Sequence, residues 1–101
     1  MTLLQFRYVI AIADAGLNIS AAASRLCTSQ PGVSKQLKLL EEELGVLLFV
    51  RHGRSLRAMT PAGRQIVEHA RIIMQEVEGL SALRRAHRQD EPFAAYSRRT
   101  L

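Results

Sequence analysis

The sequence predicts a mainly α fold in which three helices and a β-hairpin precede one long helix. Residues 3–26 and 30–43 repeat apolar side chains at the three- and four-residue spacing of amphipathic helices. An apolar run broken by polar turn residues follows and indicates a hairpin. From residue 61 onward, apolar residues alternate at spacings of four and three, which indicates a single long helix. This order of elements is that of a winged helix-turn-helix followed by a long linker helix.

The first two helices are separated by a glycine. Residues 3–15 carry an apolar stripe that ends at Gly16: Leu3, Phe6, Val9, Ile10 and Ala13. Asn18 can cap a second helix that runs through Leu26, because its side-chain oxygen can accept a free backbone N–H. Residues 27–28 then form a brief turn, in which we expect Cys27 to be a small buried filler. Two short helices joined in this way outline a helix-turn-helix.

The third helix, at residues 30–43, has one apolar and one polar face. At about 100° per residue, Val33, Leu37, Leu40 and Leu44 form a stripe that should face the core. The opposite face is polar and cationic, with Gln30 at its edge: Pro31, Ser34, Lys35 and Lys38. The three glutamates are confined to the C-terminal end, although the macrodipole favours acids at the N-terminal end. This distribution favours an anionic partner at the start of the helix.

The hairpin is predicted from the apolar run that follows Gly45. Residues 46–51 should form a strand, residues 52–55 a turn and residues 56–60 a return strand. Arginines lie along this hairpin and at its tip: Arg51, Arg54 and Arg57. Arg51 could instead brace the hairpin internally.

The long helix should begin at residues 60–61, a hydroxyl cap followed by proline. Its heptad seam consists of Ile66, Ala70, Ile73, Val77 and Leu80. A helix reaching residue 87 would be about 40 Å long, too long to bury its seam on the preceding domain. The seam therefore predicts a homodimer interface, with ordinary burial against the first helix as the alternative. We expect three parts: residues 1–60 as a winged helix-turn-helix domain, 61–87 as a dimerisation helix, and 88–101 as a poorly ordered tail.

Composition limits the possible functions. The net charge of +5 and the isoelectric point near 10.4 suit a polyanionic partner. The chain has no long apolar run and no secretory leader pattern, so we expect a cytoplasmic protein without a membrane partner. The single cysteine and three scattered histidines suggest neither a metal site nor a cofactor. The possible nucleophiles are Ser20, Cys27 and Ser34. None of them has an acid–base partner that the sequence would position, so we predict no catalytic residue and no enzymatic activity.

The run SAAASRLCTSQPGVSKQLKLLEEELGVLLFVRHGRSLRAMTPAG resembles the N-terminal DNA-binding domain of LysR-type transcriptional regulators. The family pattern consists of an AA pair, SQPxVS, LExELGxxLFxR, a wing and LTxAG. The chain departs from this pattern at Met59, where leucine is usual. The segment TSQPGVSKQ looks most like the CysB-type branch of the family.

The resemblance implies sequence-specific binding of double-stranded DNA as a transcriptional regulator. Residues 30–43 would enter the major groove, and the wing at residues 46–60 would touch the backbone or minor groove. The implied DNA contacts are Ser29, Gln30, Pro31, Ser34, Lys35, Lys38, Arg51 and Arg54. Ser29 could equally act only as a helix cap. A homodimer on an inverted-repeat operator is implied as well.

Family members also carry an effector-binding α/β domain, and this sequence stops before it. We therefore expect no small-molecule inducer to act on this chain. The alternative function is a truncated dimerising module that modulates full-length family members without productive DNA binding.

Overall fold

The computed structural model of the protein describes residues 1–88, so the predicted tail from residue 89 onward lies outside the described residues. Four helices and one hairpin follow in the predicted order: α1 Leu3–Asp14, α2 Ile19–Arg25, α3 Gln30–Leu44, β1 Phe49–His52, β2 Ser55–Met59 and α4 Pro61–His87. This confirms the mainly α winged helix-turn-helix followed by a long helix.

Each helix begins after a residue whose side-chain oxygen accepts a backbone N–H from three residues on. These caps are Thr2, Asn18, Ser29 and Thr60. Such a bond satisfies one of the N–H groups that a helix leaves without a partner. The helix α3 ends at Gly45, whose φ of 72° lies in the left-handed region that glycine adopts without steric cost. The caps predicted at Asn18 and Thr60 are confirmed.

One core joins all the elements. Its buried apolar residues include Phe6, Val9, Ile12, Ala22, Ala23, Val33, Leu37, Leu40, Leu48, Phe49, Leu56 and Val67. The stripe predicted for α3 is confirmed, although Leu44 is only half-buried. In α1 the stripe is shifted, because Ile12 is fully buried while Leu3, in the first turn, is exposed.

The long helix belongs to this core over its first half only. Gly63, Val67 and Ala70 of α4 are buried, and the helix packs along α1. Residue 60 is therefore where α4 begins, but the packing is continuous across it. Beyond that half most of α4 is exposed.

An exposed ion pair reinforces the packing of α4 on α1. Arg71 donates to Asp14, with Nη2 2.6 Å from Oδ1 and Nη1 3.3 Å from Oδ2. The hydrogen bond from Arg71 lowers the pKa of the Asp14 carboxyl below its ordinary value, against a smaller opposing effect of burial. Because the folded-state pKa is lowered, the stabilisation is present near neutral pH and is lost as the pH falls below about 4.

We expect Arg71→Ala to lower the free energy of unfolding by less than about 1 kcal/mol near neutral pH, since both side chains are largely exposed. The difference from the wild type should vanish on acidification to about pH 2. Urea unfolding across this range checks both statements, with Arg64→Ala on the same helix as a control for the loss of one positive charge. A difference that persists at the acid end would show that the effect comes from packing.

The hairpin begins later than predicted. Strand β1 starts at Phe49 instead of residue 46, because the Leu48 N–H donates to a side chain instead of to the backbone of Thr60, the residue facing it. The Leu48 N–H donates to Glu41, the Leu48 carbonyl accepts from the Thr60 N–H, and the Leu47 carbonyl accepts from the Thr60 hydroxyl. Leu48 is consequently a buried junction residue and does not belong to the strand.

The turn of the hairpin is shorter than predicted. Residues 53–54 form it, and residues 52 and 55 pair with each other in the strands. Gly53 has a φ of 61°, which suits a two-residue turn. The register shifts between Val50 and Arg51, so that Arg57 has no partner opposite it. This shift is a local irregularity in the middle of the wing.

Candidate nucleic-acid interface

The exposed face of α3 carries the side chains predicted for it. Gln30, Pro31, Lys35 and Lys38 are exposed and Ser34 is half-buried, while the apolar stripe opposite faces the core. The N-terminal half of this face thus presents two cations, an amide and a hydroxyl. These groups can donate hydrogen bonds to phosphate oxygens, and the amide and hydroxyl can also pair with base edges.

The absence of acids at the start of α3 is weaker support than the sequence argument assumed. None of the four helices has an acidic residue in its first turn. The support that remains is the pair of exposed cations, Lys35 and Lys38, on the polar face of α3.

Ser29 has a structural role that the sequence left open. Its Oγ accepts the Gly32 N–H at 3.1 Å and caps α3. The side chain is exposed, and its hydroxyl hydrogen can still donate to an anion. The cap and the predicted DNA contact are therefore compatible, and the contact stays a prediction.

The wing tip and the start of α3 meet at one cleft. Gln30 and Arg54, far apart in sequence, both line an open cavity of about 330 Å³ together with residues 16–20 and 55–56. Asn18, Ser20 and Ser55 add polar groups to its wall that the sequence analysis did not assign to binding. Only the return of the hairpin towards α2 brings these groups together. A cation surrounded by hydroxyl and amide groups can hold a phosphate.

Arg51 lies in the middle of the wing beside a buried carboxylate. Its Nη2 is 3.8 Å from Oε1 of Glu41, whose side chain is only 7% exposed. Oε2 of Glu41 accepts the Leu48 N–H at 2.7 Å. This geometry supports the alternative in which Arg51 braces the hairpin internally. Its contact with DNA stays a prediction.

The three glutamates at the C-terminal end of α3 have different environments. Glu42 is exposed, Glu43 pairs with the ammonium group of Met1, and Glu41 is buried. The burial of Glu41 was not predicted, although a helical wheel places this residue about 40° from Leu37 at the edge of the apolar stripe. A carboxylate at such an edge requires hydrogen-bond donors, because an unpaired buried charge is costly.

The seam predicted for a dimer is divided between two environments. Ala70 is 1% exposed within the core of its own chain, and Ile66 is half-buried against the same core. Ala70 therefore has no surface left for a partner, which corrects its predicted place in the interface. The first half of the seam is thus buried against the core of its own chain, where α4 packs on α1.

The second half of the seam remains accessible. Ile73 is 36% exposed, Leu80 is 67% exposed and Val77 is half-buried. The heptad pattern missed two further exposed residues on this side of the helix, Ile72 and Leu83. We call the group of Ile72, Ile73, Leu80 and Leu83 the apolar stripe of α4.

Other expectations concern groups away from these surfaces. The expectation that Cys27 is buried is wrong, because its side chain is exposed. Cys27 lies in the turn after α2 with a φ of 54°, and the residue before it, Leu26, is half-buried instead. Residues 1–88 contain no cluster of side chains suited to a metal ion. No helix within the same residues is long and apolar enough to cross a membrane.

Comparison with known proteins relates this geometry to a family. Residues 3–64 match the sequence model described as the bacterial regulatory helix-turn-helix protein, lysR family. The transcriptional regulator CysB of Haemophilus influenzae is 45% identical over 83 residues, which are 82% of this chain and 26% of that protein. CysB of Burkholderia cenocepacia is 49% identical over 80 residues, 79% of this chain and 26% of that protein. The chain thus spans about a quarter of the length of these regulators.

A solved structure shows the same fold on DNA. The crystal structure of the CbnR DNA-binding domain in complex with DNA superimposes with a TM-score of 0.77 at 41% identity. The match covers 85% of this chain and 97% of that domain.

Proposed function

The chain belongs to the LysR family of bacterial regulatory helix-turn-helix proteins, and we propose that it binds specific double-stranded DNA sites as a transcriptional regulator. The observation that carries the proposal is the exposed face of α3, where two lysines stand beside Gln30 and Ser34. The fold that presents this face is similar to that of the CbnR domain in its DNA complex. We infer that α3 enters the major groove and that the wing contacts the backbone or the minor groove.

Different side chains of this surface have different roles in the proposal. Gln30 can form a bidentate pair with adenine, and Ser34 can reach a base or a phosphate. Four other side chains contact phosphates: the exposed cap hydroxyl of Ser29 and the positive groups of Lys35, Lys38 and Arg54. These contacts fix the register of the protein on the duplex and do not distinguish base sequences. Pro31 packs against the groove wall.

The contrast between Gln30→Ala and Lys38→Ala tests these roles on a single helix. Gln30→Ala should reduce discrimination by on the order of 1–3 kcal/mol at one or two base positions. Lys38→Ala should weaken binding to all duplexes alike and make the salt dependence of the affinity shallower by about one unit. Selection of DNA sites from a random pool, followed by salt titrations on the selected duplex, measures both effects.

Either variant can contradict its assigned role. An unchanged site preference in Gln30→Ala would remove Gln30 from base recognition, and an altered preference in Lys38→Ala would make Lys38 a reader of sequence. The wild type tests the function as a whole. If it enriched no site and its affinity for duplex DNA did not fall with salt, the proposed function would be wrong.

The same proposal includes a homodimer on an inverted-repeat operator. The C-terminal half of α4 carries its apolar stripe away from the core, and a second copy can cover that stripe. We place the interface at the exposed part of the predicted seam and exclude Ala70. A two-fold dimer requires two half-sites in inverted orientation.

The same apolar stripe favours one other function. A dimerising module that pairs with longer family members without binding DNA would also use α4 of this chain. Dimerisation with no measurable affinity for duplex DNA would favour that module.

Since the relatives are named as transcriptional regulators, we propose no enzymatic activity. A DNA-binding regulator would act in the cytoplasm.

A further inference from the structure

Three elements of the fold meet at the backbone of residues 47–48. Glu41 of α3 accepts the Leu48 N–H at 2.7 Å, and the Leu48 carbonyl accepts the Thr60 N–H at 3.0 Å just before α4. The hairpin begins at the next residue, Phe49. The position of the wing relative to α3 therefore depends on how this short segment is held.

The Leu48 side chain is fully buried in the core, and the polar contact of this segment with α3 is the hydrogen bond to the Glu41 side chain. Gly45 ends the helix in a left-handed conformation, and the next two residues, Val46 and Leu47, are exposed. Within residues 1–88 the hairpin packs on α4 through β2, while neither strand packs extensively on α3. The Glu41 side chain thus provides a direct link from the proposed recognition helix to the wing.

We propose that Glu41 is a positioning residue that sets the wing relative to α3, so that Arg54 and the polar face of α3 reach one DNA duplex together. This inference rests on the proposed function. Gln30 and Arg54 already line one cleft, which requires the wing tip to stay close to the start of the helix. Hydrogen bonds to DNA tolerate errors of only a few tenths of an ångström, so a wing that pivots at residues 46–48 loses its phosphate contact.

The hydrogen bond to the backbone is the main link, and the ion pair is secondary. Arg51 is 42% exposed and 3.8 Å from the carboxylate, a geometry in which an ion pair contributes little. The bond from Leu48 is short and buried, and breaking it would leave a buried N–H without a partner. The reach of the side chain at position 41 therefore matters more than its charge.

Two conservative variants separate reach from charge. Glu41→Gln keeps an acceptor oxygen at the same distance from the backbone and loses the charge. Glu41→Asp keeps the charge but is shorter by one methylene group. Glu42→Gln and Glu42→Asp are matched controls, because Glu42 is the exposed neighbour on the same helix.

The experiment measures the salt dependence of duplex binding for each variant, alone and combined with Arg54→Ala. We expect Glu41→Gln to keep the wild-type slope and Glu41→Asp to make it shallower by about one unit, as Arg54→Ala does. In the Glu41→Asp background, Arg54→Ala should weaken binding no further. If Glu41→Asp only lowered the stability of the fold, the folded fraction would fall equally in Glu41→Asp and in the double variant with Arg54→Ala. Arg54→Ala would then still weaken binding in that background.

Hydrogen exchange at the Leu48 amide provides a readout that needs no DNA. Exchange should be faster in Glu41→Asp than in the wild type and nearly unchanged in Glu41→Gln, while the Leu37 amide in the core stays protected. A wild-type slope with a full Arg54→Ala effect in Glu41→Asp would overturn the inference, as would equal losses in Glu41→Gln and Glu41→Asp. If the wild type bound no duplex, the proposed function itself would fail, and amide exchange would still show whether Glu41 holds the wing.

Discussion

Replacing Gly63 with alanine is expected to destabilise the protein by about 3 kcal/mol or more. A Cβ atom at this position would lie 2.0 Å from the Leu48 carbonyl oxygen and 2.8 Å from its carbon. These are backbone atoms, so no side-chain rotation relieves the overlap. The same carbonyl accepts the Thr60 N–H, and displacing it would disturb the junction between the wing and α4.

Gly79 provides the matched control for this change. It lies on the same helix, and a Cβ atom there would meet nothing within 4 Å. Gly79→Ala should therefore stabilise the protein slightly, by up to about 1 kcal/mol, because alanine is the better helix former. Urea unfolding of both variants measures the contrast. Equal stability of Gly63→Ala and Gly79→Ala would mean that α4 can move away from Leu48 at little cost.

The need for glycine at position 63 shows a limit of sequence interpretation. The sequence places Gly63 in a family motif near the start of a helix, where a glycine has no local conformational reason to occur. The reason lies in the close approach of another segment, Leu48, which becomes visible only in the folded structure. Local patterns predict the helix and its cap, whereas the contact belongs to tertiary packing.

The heptad seam shows the same limit in another form. Periodicity correctly predicts which side of α4 is apolar, but it does not predict which neighbour covers each part. The first half is covered by α1, so Ala70 belongs to the core, while Ile73 and Leu80 remain accessible. The length of the helix was the useful signal, since α4 extends beyond the elements that could bury it.

The candidate DNA interface was predictable where it follows helical periodicity. The polar face of α3 came directly from the wheel. The cleft shared by Gln30 and Arg54, and the link from Glu41 to Leu48, depend on how the hairpin folds back. The late start of β1 has the same origin, because the Leu48 N–H donates to Glu41 and is therefore not paired with the backbone of Thr60, the residue facing it.

The apolar stripe of α4 leads to the second large effect, which we expect from Ile73→Asp. Ile73 lies in the accessible half of the predicted seam, and full burial of one large aliphatic side chain contributes about 1.5–3 kcal/mol. An aspartate there would put an unpaired charge into the dimer interface, which costs several kcal/mol more. The variant should therefore be a monomer at concentrations at which the wild type is a dimer.

The loss of the dimer should lower the affinity for a full operator and leave the affinity for a half-site unchanged. A dimer joins two recognition helices, and half-sites about 10 base pairs apart, or a multiple of this, let both bind one face of the duplex. Linked binding of this kind strengthens the affinity by about 10²–10⁴-fold over a single site. Ile73→Asp should lose this gain on the full operator while keeping the weak affinity for a half-site. Gln75→Asp is the matched control, since it adds the same charge about 160° around the helix from Ile73.

Sedimentation of the wild type and both variants, combined with affinities for full-site and half-site duplexes, tests the arrangement. The expected pattern is a dimeric wild type and a dimeric Gln75→Asp, both with strong preference for the full site, beside a monomeric Ile73→Asp without that preference. A wild-type monomer that binds a half-site as tightly as a full site would refute the dimer. An Ile73→Asp protein that remained dimeric would place the interface elsewhere than the exposed half of α4.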